Sequence, residues 1–450
     1  MRFSWRMLGT IVGWLIFGAW VGFGYSIVQQ NGQRGIQTVD FQSYALAAEQ
    51  MQQQVSPYPA IAEAQAMWRS VHQWEQRMLN APDLAAKLAV KAEYDQVGQI
   101  VGPYLYPPTL AAIVTSLQIS SLGMAAILSI ATLIFVAFWL YLTKQSSGWT
   151  IWVMLSMECL IGIVAGNIEF LLLLGSLVGG YWALYHSRIA TALIIALMLL
   201  IKPFYGMFFG ALALLAYCSL ADQTARHALL KRIASIAGLA LGLIGLEIWR
   251  WDRALRDETF SYLTHTLEYQ WFNFPAAEQS PMSMWNRTPL QGLINLGINA
   301  NSAQILAIGL WLVVLGLIGW LVWHKNLGFP MLYGLSLLLL YWGRPVGWSF
   351  SFIELIVLSL AWHWLKLWGK IGLSTAMLGL IGSRWVALIL TAQAQGMPLN
   401  TLQTTTFAWE SWLVLPCCLA CLGYAIRQQS QHNVSIAINQ QPSAHSAPLG

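Results

Sequence analysis

Apolar residues along this chain of 450 residues come in runs of about membrane length, broken by short polar stretches. The first run, from Met7 to about Val28, follows the basic residues Arg2 and Arg6. It is long enough to cross a hydrocarbon core of about 30 Å, and no small-x-small cleavage site follows it. The pattern predicts an uncleaved first helix with its basic end in the cytoplasm. Further apolar runs occupy roughly 105–142, 149–165, 168–185, 189–220, 233–249, 302–323, 329–343, 349–365, 371–392 and 407–426.

The longest polar stretch, about 29–103, comes directly after the first run and holds most of the acidic residues. Within it Met67, Trp68, Val71, Trp74, Met78 and Leu79 recur at helical spacing among polar neighbours. That periodicity fits a helix lying in the membrane interface, and equally one packing its apolar stripe on the rest of the loop. A second polar stretch spans 250–301, and the tail 427–450 is polar, rich in Gln, Ser and Pro, and predicted disordered and cytoplasmic. Basic breaks at Arg226–Arg232, His324-Lys325 and Lys366–Lys370 alternate correctly for cytoplasmic loops, which puts both 29–103 and 250–301 outside. Two details stay open: 105–119 spans or is re-entrant, and 189–220 crosses once or twice, with a break near Lys202-Pro203. Either choice gives about twelve crossings with both ends inside, but the two put Gly166-Asn167 on opposite faces.

Composition sharpens this picture. Hydrophobic residues make up 57% and charged residues 9%, against about 25% charged in a soluble domain. Many of the 24 tryptophans stand near the ends of apolar runs, where headgroup belts favour them. The net charge of +5 is what retained cytoplasmic Lys and Arg would leave, and no basic patch on a polar face suits nucleic acid. All five cysteines, including the Cys417-Cys418-x-x-Cys421 cluster, lie in apolar segments and read as packing residues rather than a disulfide or metal framework. No P-loop, dinucleotide fingerprint, metal-ligand spacing or Ser-His-Asp arrangement occurs, so no cofactor is expected.

Candidate chemistry begins about a dozen residues beyond the first helix, where Asp40-Phe41-x-x-Tyr44-x-x-Ala47-Ala48 is followed by Ser56-Pro57-Tyr58 and then Tyr104-Leu105-Tyr106-Pro107-Pro108. Farther on come Gly166-Asn167, Lys202-Pro203, Trp285-Asn286-Arg287 and Pro345-Val346-Gly347-Trp348-Ser349. In order and spacing this series, covering about residues 1 to 355, resembles glycosyltransferase family 87. Those are polytopic GT-C enzymes that take a sugar, mannose being the best known, from a polyprenyl-phosphate carrier outside the cytoplasmic face. The resemblance implies that Asp40 is the catalytic carboxylate, removing the acceptor hydroxyl's proton as the anomeric carbon is attacked with inversion. A second reading of Asp40 is helix N-cap for the segment that follows. A leaving phosphate calls for cations, and Arg287, Arg344 and Lys202 are the candidates on the outer side; snorkelling to the interface is the alternative for Arg344. Tyr44, Tyr104 and Tyr106 are candidate substrate contacts, and the Tyr-x-Tyr-Pro-Pro element also reads as the start of a helix. Glu169, at the head of an apolar run, is a functional candidate whose partner the sequence does not name, and Glu354 is placed to pair with Arg344. The sequence departs from the family where a His pair commonly follows the Pro-x-Ser-Trp motif: here Trp348-Ser349-Phe350-Ser351 stands instead, and His265 is a conceivable substitute.

The expectation is therefore an all-α integral membrane protein, one polytopic domain over 1–426. It is a GT-C-type bundle of about twelve transmembrane helices with an extracytoplasmic cap of interfacial helices, located in a bacterial inner membrane. Its partners would be a polyprenyl-phosphate-linked sugar donor and a lipid or glycan acceptor, without a metal. A transporter or lipid-carrier flippase is the alternative; it predicts ionisable residues deep in several helices and an internal repeat, and no repeat is visible.

Overall fold

The computed structural model describes residues 5–33, 39–58, 106–143, 162–253, 255–260 and 288–343, with isolated positions elsewhere, among them Tyr104, 359–361 and 422–428. Every regular element among them is an α-helix. In chain order these are α1 (Trp5–Gln33), α2 (Val39–Gln52), α3 (Pro108–Ser116), α4 (Ser121–Thr143), α5 (Glu169–Tyr185), α6 (Arg188–Ile201), α7 (Tyr205–Ser219), α8 (Gln223–Arg250), α9 (Pro289–Asn295), α10 (Ala300–Val322) and α11 (Phe329–Gly343). Four helices (Thr10–Gln33 within α1, α4, α8 and Asn301–Val322 within α10) are long and apolar enough to cross a membrane. The outward sides of the last two carry Leu241, Leu246 and Trp249, and Ile305, Leu312 and Trp320, all exposed. Faces of that composition suit hydrocarbon and would be a liability in water.

Of the shorter helices α11 lies deepest, while α6 keeps Ile189, Leu193 and Leu197 on an exposed apolar face. α11 is buried on nearly every side from Met331 to Trp342, which explains its apolar sequence without amphipathic alternation. It packs against α7 and α10, while α5 lies against α4 and α6, and α6 against α8. Phe17, Val21 and Val28 recur along one face of α1 and are buried, in the element that packs on α4. Inside, Tyr333 of α11 shares a hydrogen bond with Ser176 of α5 at 3.0 Å and lies edge-on to Phe208 of α7. Satisfying a hydroxyl inside the bundle avoids the desolvation cost of an unpaired polar group.

Both long apolar runs that the hydrophobic pattern left open are broken into two helices. The run 105–142 divides into α3, whose nine residues reach only about 14 Å, and the longer α4. Gln118, in the left-handed conformation with φ 48°, makes the corner between them. The run 189–220 doubles back, because Pro203 cannot continue α6 and the chain reverses into α7. Two ends of the bundle result. Lys202 between α6 and α7 lies at the same end as the start of α5. At the other end, Arg232 of α8 donates to the carbonyls of Trp182, Ala183 and His186 at the close of α5. There too Arg226 lies 4.9 Å from the Trp323 ring, and the α10–α11 turn is tied to the end of α7 by the His324 N–H on the Cys218 carbonyl at 3.0 Å.

Close approach of α5 to α7 and α11 requires a glycine. A Cβ on Gly180 of α5 would stand 2.9 Å from Leu212 Cδ2 and 3.3 Å from Phe329 Cε2. Gly180→Val should lower the thermal midpoint in detergent, with a cost of about 1–3 kcal/mol from overpacking. Gly210→Ala, where nothing lies within 4 Å, should leave it unchanged or higher. Equal midpoints for Gly180→Val and wild type would contradict this packing.

Candidate functional site

Three helix ends converge on a connected set of polar side chains. Asp40 stands in the first turn of α2, Glu169 in the first turn of α5, and Lys202 is the residue that closes α6. Carboxylates at helix N-termini and an ammonium at a C-terminus each sit where the backbone dipole favours their charge. Lys202 Nζ donates to Glu169 Oε2 at 2.5 Å, and Tyr205 in the first turn of α7 donates its hydroxyl to Glu169 Oε1 at 3.0 Å. The Glu169 side chain is only 3% exposed and Lys202 16%. Thus the ionisable residue whose partner the sequence could not name is paired across the chain reversal at Lys202-Pro203.

Asp40 has a different partner. Its Oδ2 accepts from Asn167 Nδ2 at 2.8 Å, and Asn167 Oδ1 accepts from the Glu169 backbone N–H at 2.9 Å. Gly166 makes this possible. With φ 73° it turns the chain out of the helical residues 162–165, and its N–H bonds back to the Ile163 carbonyl at 3.2 Å. A side chain disfavours that conformation by roughly 1–2 kcal/mol. Among the described residues the Asp40 side chain reaches across to another element rather than capping its own helix.

The tyrosines join the same region but differ in access. Tyr44, one turn after Asp40, is fully buried and donates to the Tyr106 hydroxyl at 3.2 Å, its ring edge-on to Tyr106 at 5.2 Å. Tyr104 is buried as well; its hydroxyl donates to the Pro107 carbonyl at 2.7 Å and accepts from the Ala111 N–H at 3.1 Å. Pro107 is the N-cap and Pro108 opens α3 where its missing N–H costs nothing, so the Tyr-x-Tyr-Pro-Pro element does start a helix. Tyr58 donates to the Tyr106 carbonyl at 3.0 Å, and Thr115 Oγ1 to the Ala48 carbonyl at 3.1 Å, which locks α2 onto α3. Tyr106 is the half-buried member, with Lys202 Nζ 6.0 Å from its ring centroid. Arg287, Arg344, Glu354, His265 and the Pro345–Ser349 motif lie outside the described residues, as does most of the Met67–Leu79 stretch.

No protein-family model, curated protein or solved structure matches this chain. The site therefore has to be read from its own chemistry. Two carboxylates share one end of the bundle in unlike surroundings. Glu169 is matched by a cation and a phenol, whereas Asp40 has a neutral amide. Burial pushes the Asp40 carboxyl up from its ordinary 3.8 to about 6, against the pull of the Asn167 hydrogen bond and the Lys202 charge. The Tyr44 phenol, also raised by burial first and then by Tyr106 and Asp40, stays protonated as a donor. A carboxyl near 6 is ionised at neutral pH, yet basic enough to take a proton from a reacting hydroxyl. Among the described residues no group of three His, Cys, Asp or Glu is placed to hold a metal. In the sequence Asn167 stood out only as part of the Gly166-Asn167 motif, with no partner named, and Tyr205 was not singled out at all. The signal present was the glycine before Asn167 and the Lys-Pro that ends α6.

Two outcomes are expected. Removing one member of the buried pair, by Glu169→Gln or Lys202→Met, should destabilise by about 3–5 kcal/mol. The double variant should recover a good part of that loss in a thermal or denaturant cycle; additive losses would contradict the pairing. For Asp40, a raised folded value means the protonated form stabilises the fold below about 3.8 and that contribution is lost as pH rises through about 6. Asp40→Asn should therefore gain on wild type by about 1–2 kcal/mol between pH 5 and 7.5, the full shift being discounted for solvent. A constant difference across that range would place the Asp40 carboxyl at an ordinary value.

Proposed function

We propose that this chain is a membrane glycosyltransferase of the GT-C type, related to glycosyltransferase family 87, with Asp40 as its general base. The observation that carries this reading is the Asp40 carboxyl. It is raised to about 6, held by an amide, and sits beside a Lys–Glu pair at the end of an apolar helical bundle. It coincides with the residue that the family pattern marks as the catalytic carboxylate.

In the reaction the acceptor hydroxyl oxygen bonds to the anomeric carbon of the donor sugar from the face opposite the phosphate. The bond from that carbon to the phosphate oxygen breaks, and its electron pair leaves with the polyprenyl phosphate. The hydroxyl proton passes to Asp40, and configuration inverts. The Lys202 ammonium has donors beyond the one given to Glu169, and Tyr106 lies next to it, so these two are the described groups suited to the sugar phosphate. Arg287 and Arg344 are further candidates for that charge.

The sidedness of the bundle supports an extracytoplasmic site. Arg188, Arg226, Lys231, Arg232 and Lys325 gather at the end opposite Asp40, as cytoplasmic loops would. With α3 too short to cross and α6–α7 doubling back, Gly166-Asn167 falls on the Asp40 face, in agreement with the Asn167–Asp40 contact. Counting the remaining apolar runs gives about twelve crossings and puts both ends inside, with a polyprenyl-phosphate sugar and a lipid or glycan acceptor meeting at the outer leaflet of a bacterial inner membrane.

One observation favours a second reading. A buried ion pair at a proline-broken helix reversal is also how transporters build a coupling site. Reconstituted protein separates the two. Wild type offered a panel of polyprenyl-phosphate sugars with membrane glycolipid acceptors should transfer sugar, and Asp40→Asn should lose at least about 10²-fold in rate, the scale of general base catalysis. Equal rates in wild type and Asp40→Asn would remove Asp40 as the base. Uptake or lipid flipping without transfer would replace the enzyme with the transporter.

A further inference from the structure

The Asn167 side chain is bracketed between two groups that each tolerate only one end of an amide. On one side is the backbone N–H of Glu169, which can only donate, 2.9 Å from Oδ1. On the other is the Asp40 carboxylate, which can only accept while ionised, 2.8 Å from Nδ2. Flipping the amide would break both contacts at once. Asn167 is 3% exposed, so water does not readily replace either partner. Its backbone is set by the left-handed turn at Gly166, and Glu169 is itself anchored by Lys202 and Tyr205. The orientation of the amide is thus imposed by fixed backbone and by the ion pair.

We propose that Asn167 is a positioning residue which aims the Asp40 carboxylate: it occupies Oδ2 with a fixed N–H donor and so assigns the proton-accepting role to Oδ1. The inference rests on the reading of Asp40 as the general base. Because Oδ2 already receives a hydrogen, the proton of the neutral acid resides on Oδ1 too. The same oxygen therefore takes the acceptor's proton and later releases it. Only asparagine fits the bracket. Alanine leaves Asp40 without its donor, glutamine is one methylene too long, and aspartate keeps the size and the Glu169 N–H bond but turns an acceptor toward a carboxylate. The charged and titratable groups around Asp40 are Tyr44 on its own helix, Tyr106 before α3, Glu169 at the start of α5, and Lys202 between α6 and α7.

The decisive measurement is an infrared titration of the Asp40 carboxyl in full-length protein in lipid, isolated as the difference from the same protein carrying Asp40→Asn. It needs no substrate, so its outcome is independent of whether the enzyme reading holds. Asn167→Ala should move the midpoint upward from about 6, since the lost hydrogen bond favoured the ionised form. The isosteric Asn167→Asp should move it further up, the two carboxyls then titrating as a pair. In sugar transfer, Asn167→Ala should lower kcat by on the order of 10²-fold with the donor KM nearly unchanged, and Asn167→Gln should fall between. An unshifted midpoint in both Asn167→Ala and Asn167→Asp, with thermal midpoints showing folded protein, overturns the proposal. Full kcat in Asn167→Ala overturns it as well. Failure of the glycosyltransferase reading would show separately, as wild type that titrates as expected yet transfers no sugar.

Discussion

The Glu169–Lys202 ion pair fixes most of what is distinctive in this molecule. A carboxylate and an ammonium buried in an apolar bundle are costly unless they meet at close range with further donors. Here they meet at 2.5 Å, with Tyr205 completing the carboxylate. The pair can form only because α6 stops at Lys202-Pro203 and α7 starts again three residues later, at the same end where α5 begins. One electrostatic requirement thus holds three helix ends together, and Asn167 and Asp40 are built onto that platform.

The contrast between the two carboxylates is what makes the site chemically interesting. Both occupy first turns of helices, where the dipole favours their ionised forms. Glu169 gains a full countercharge and serves as structure. Asp40 receives an amide and more distant help from Lys202, so desolvation dominates and its affinity for a proton is high. A base for a hydroxyl group needs that intermediate condition, ionised but not satisfied by a neighbouring cation. The tyrosines reinforce the division, since Tyr44 reaches from α2 to Tyr106 and Tyr104 is consumed at the start of α3, while Tyr106 is left half-buried.

The path of the chain between α2 and α7 also sorts its polar groups to the two ends of the bundle. Each reversal returns a helix N-terminus or C-terminus to the Asp40 end; Arg226 and Lys231, which the structure places in α8 near its start rather than in a loop, collect at the other with Lys325 of the α10–α11 turn. The interior helices are short enough that their polar ends stay close to the bundle's ends, while α8 and α10 surround them with apolar outer faces. Small-residue contact at Gly180 lets those short helices approach, because bulk there would collide with Leu212 and Phe329.

By itself the amino-acid sequence determined the membrane-compatible, helical character seen throughout the described residues, because runs of apolar residues about twenty long admit few other structures. It also marked Asp40, Lys202, Glu169 and the Tyr-x-Tyr-Pro-Pro helix start, since charge in an apolar context and proline at a helix start are local signals. Where the long apolar runs break was only partly local: Lys202-Pro203 marked the end of α6, whereas the corner after the nine residues of α3 carried no comparable signal. Nor was the pairing legible. Glu169 and Lys202 are 33 positions apart and Asp40 and Asn167 are 127 apart. Hydrogen bonds and ion pairs over such separations depend on how helices pack, and only the tertiary structure brings those atoms within 3 Å.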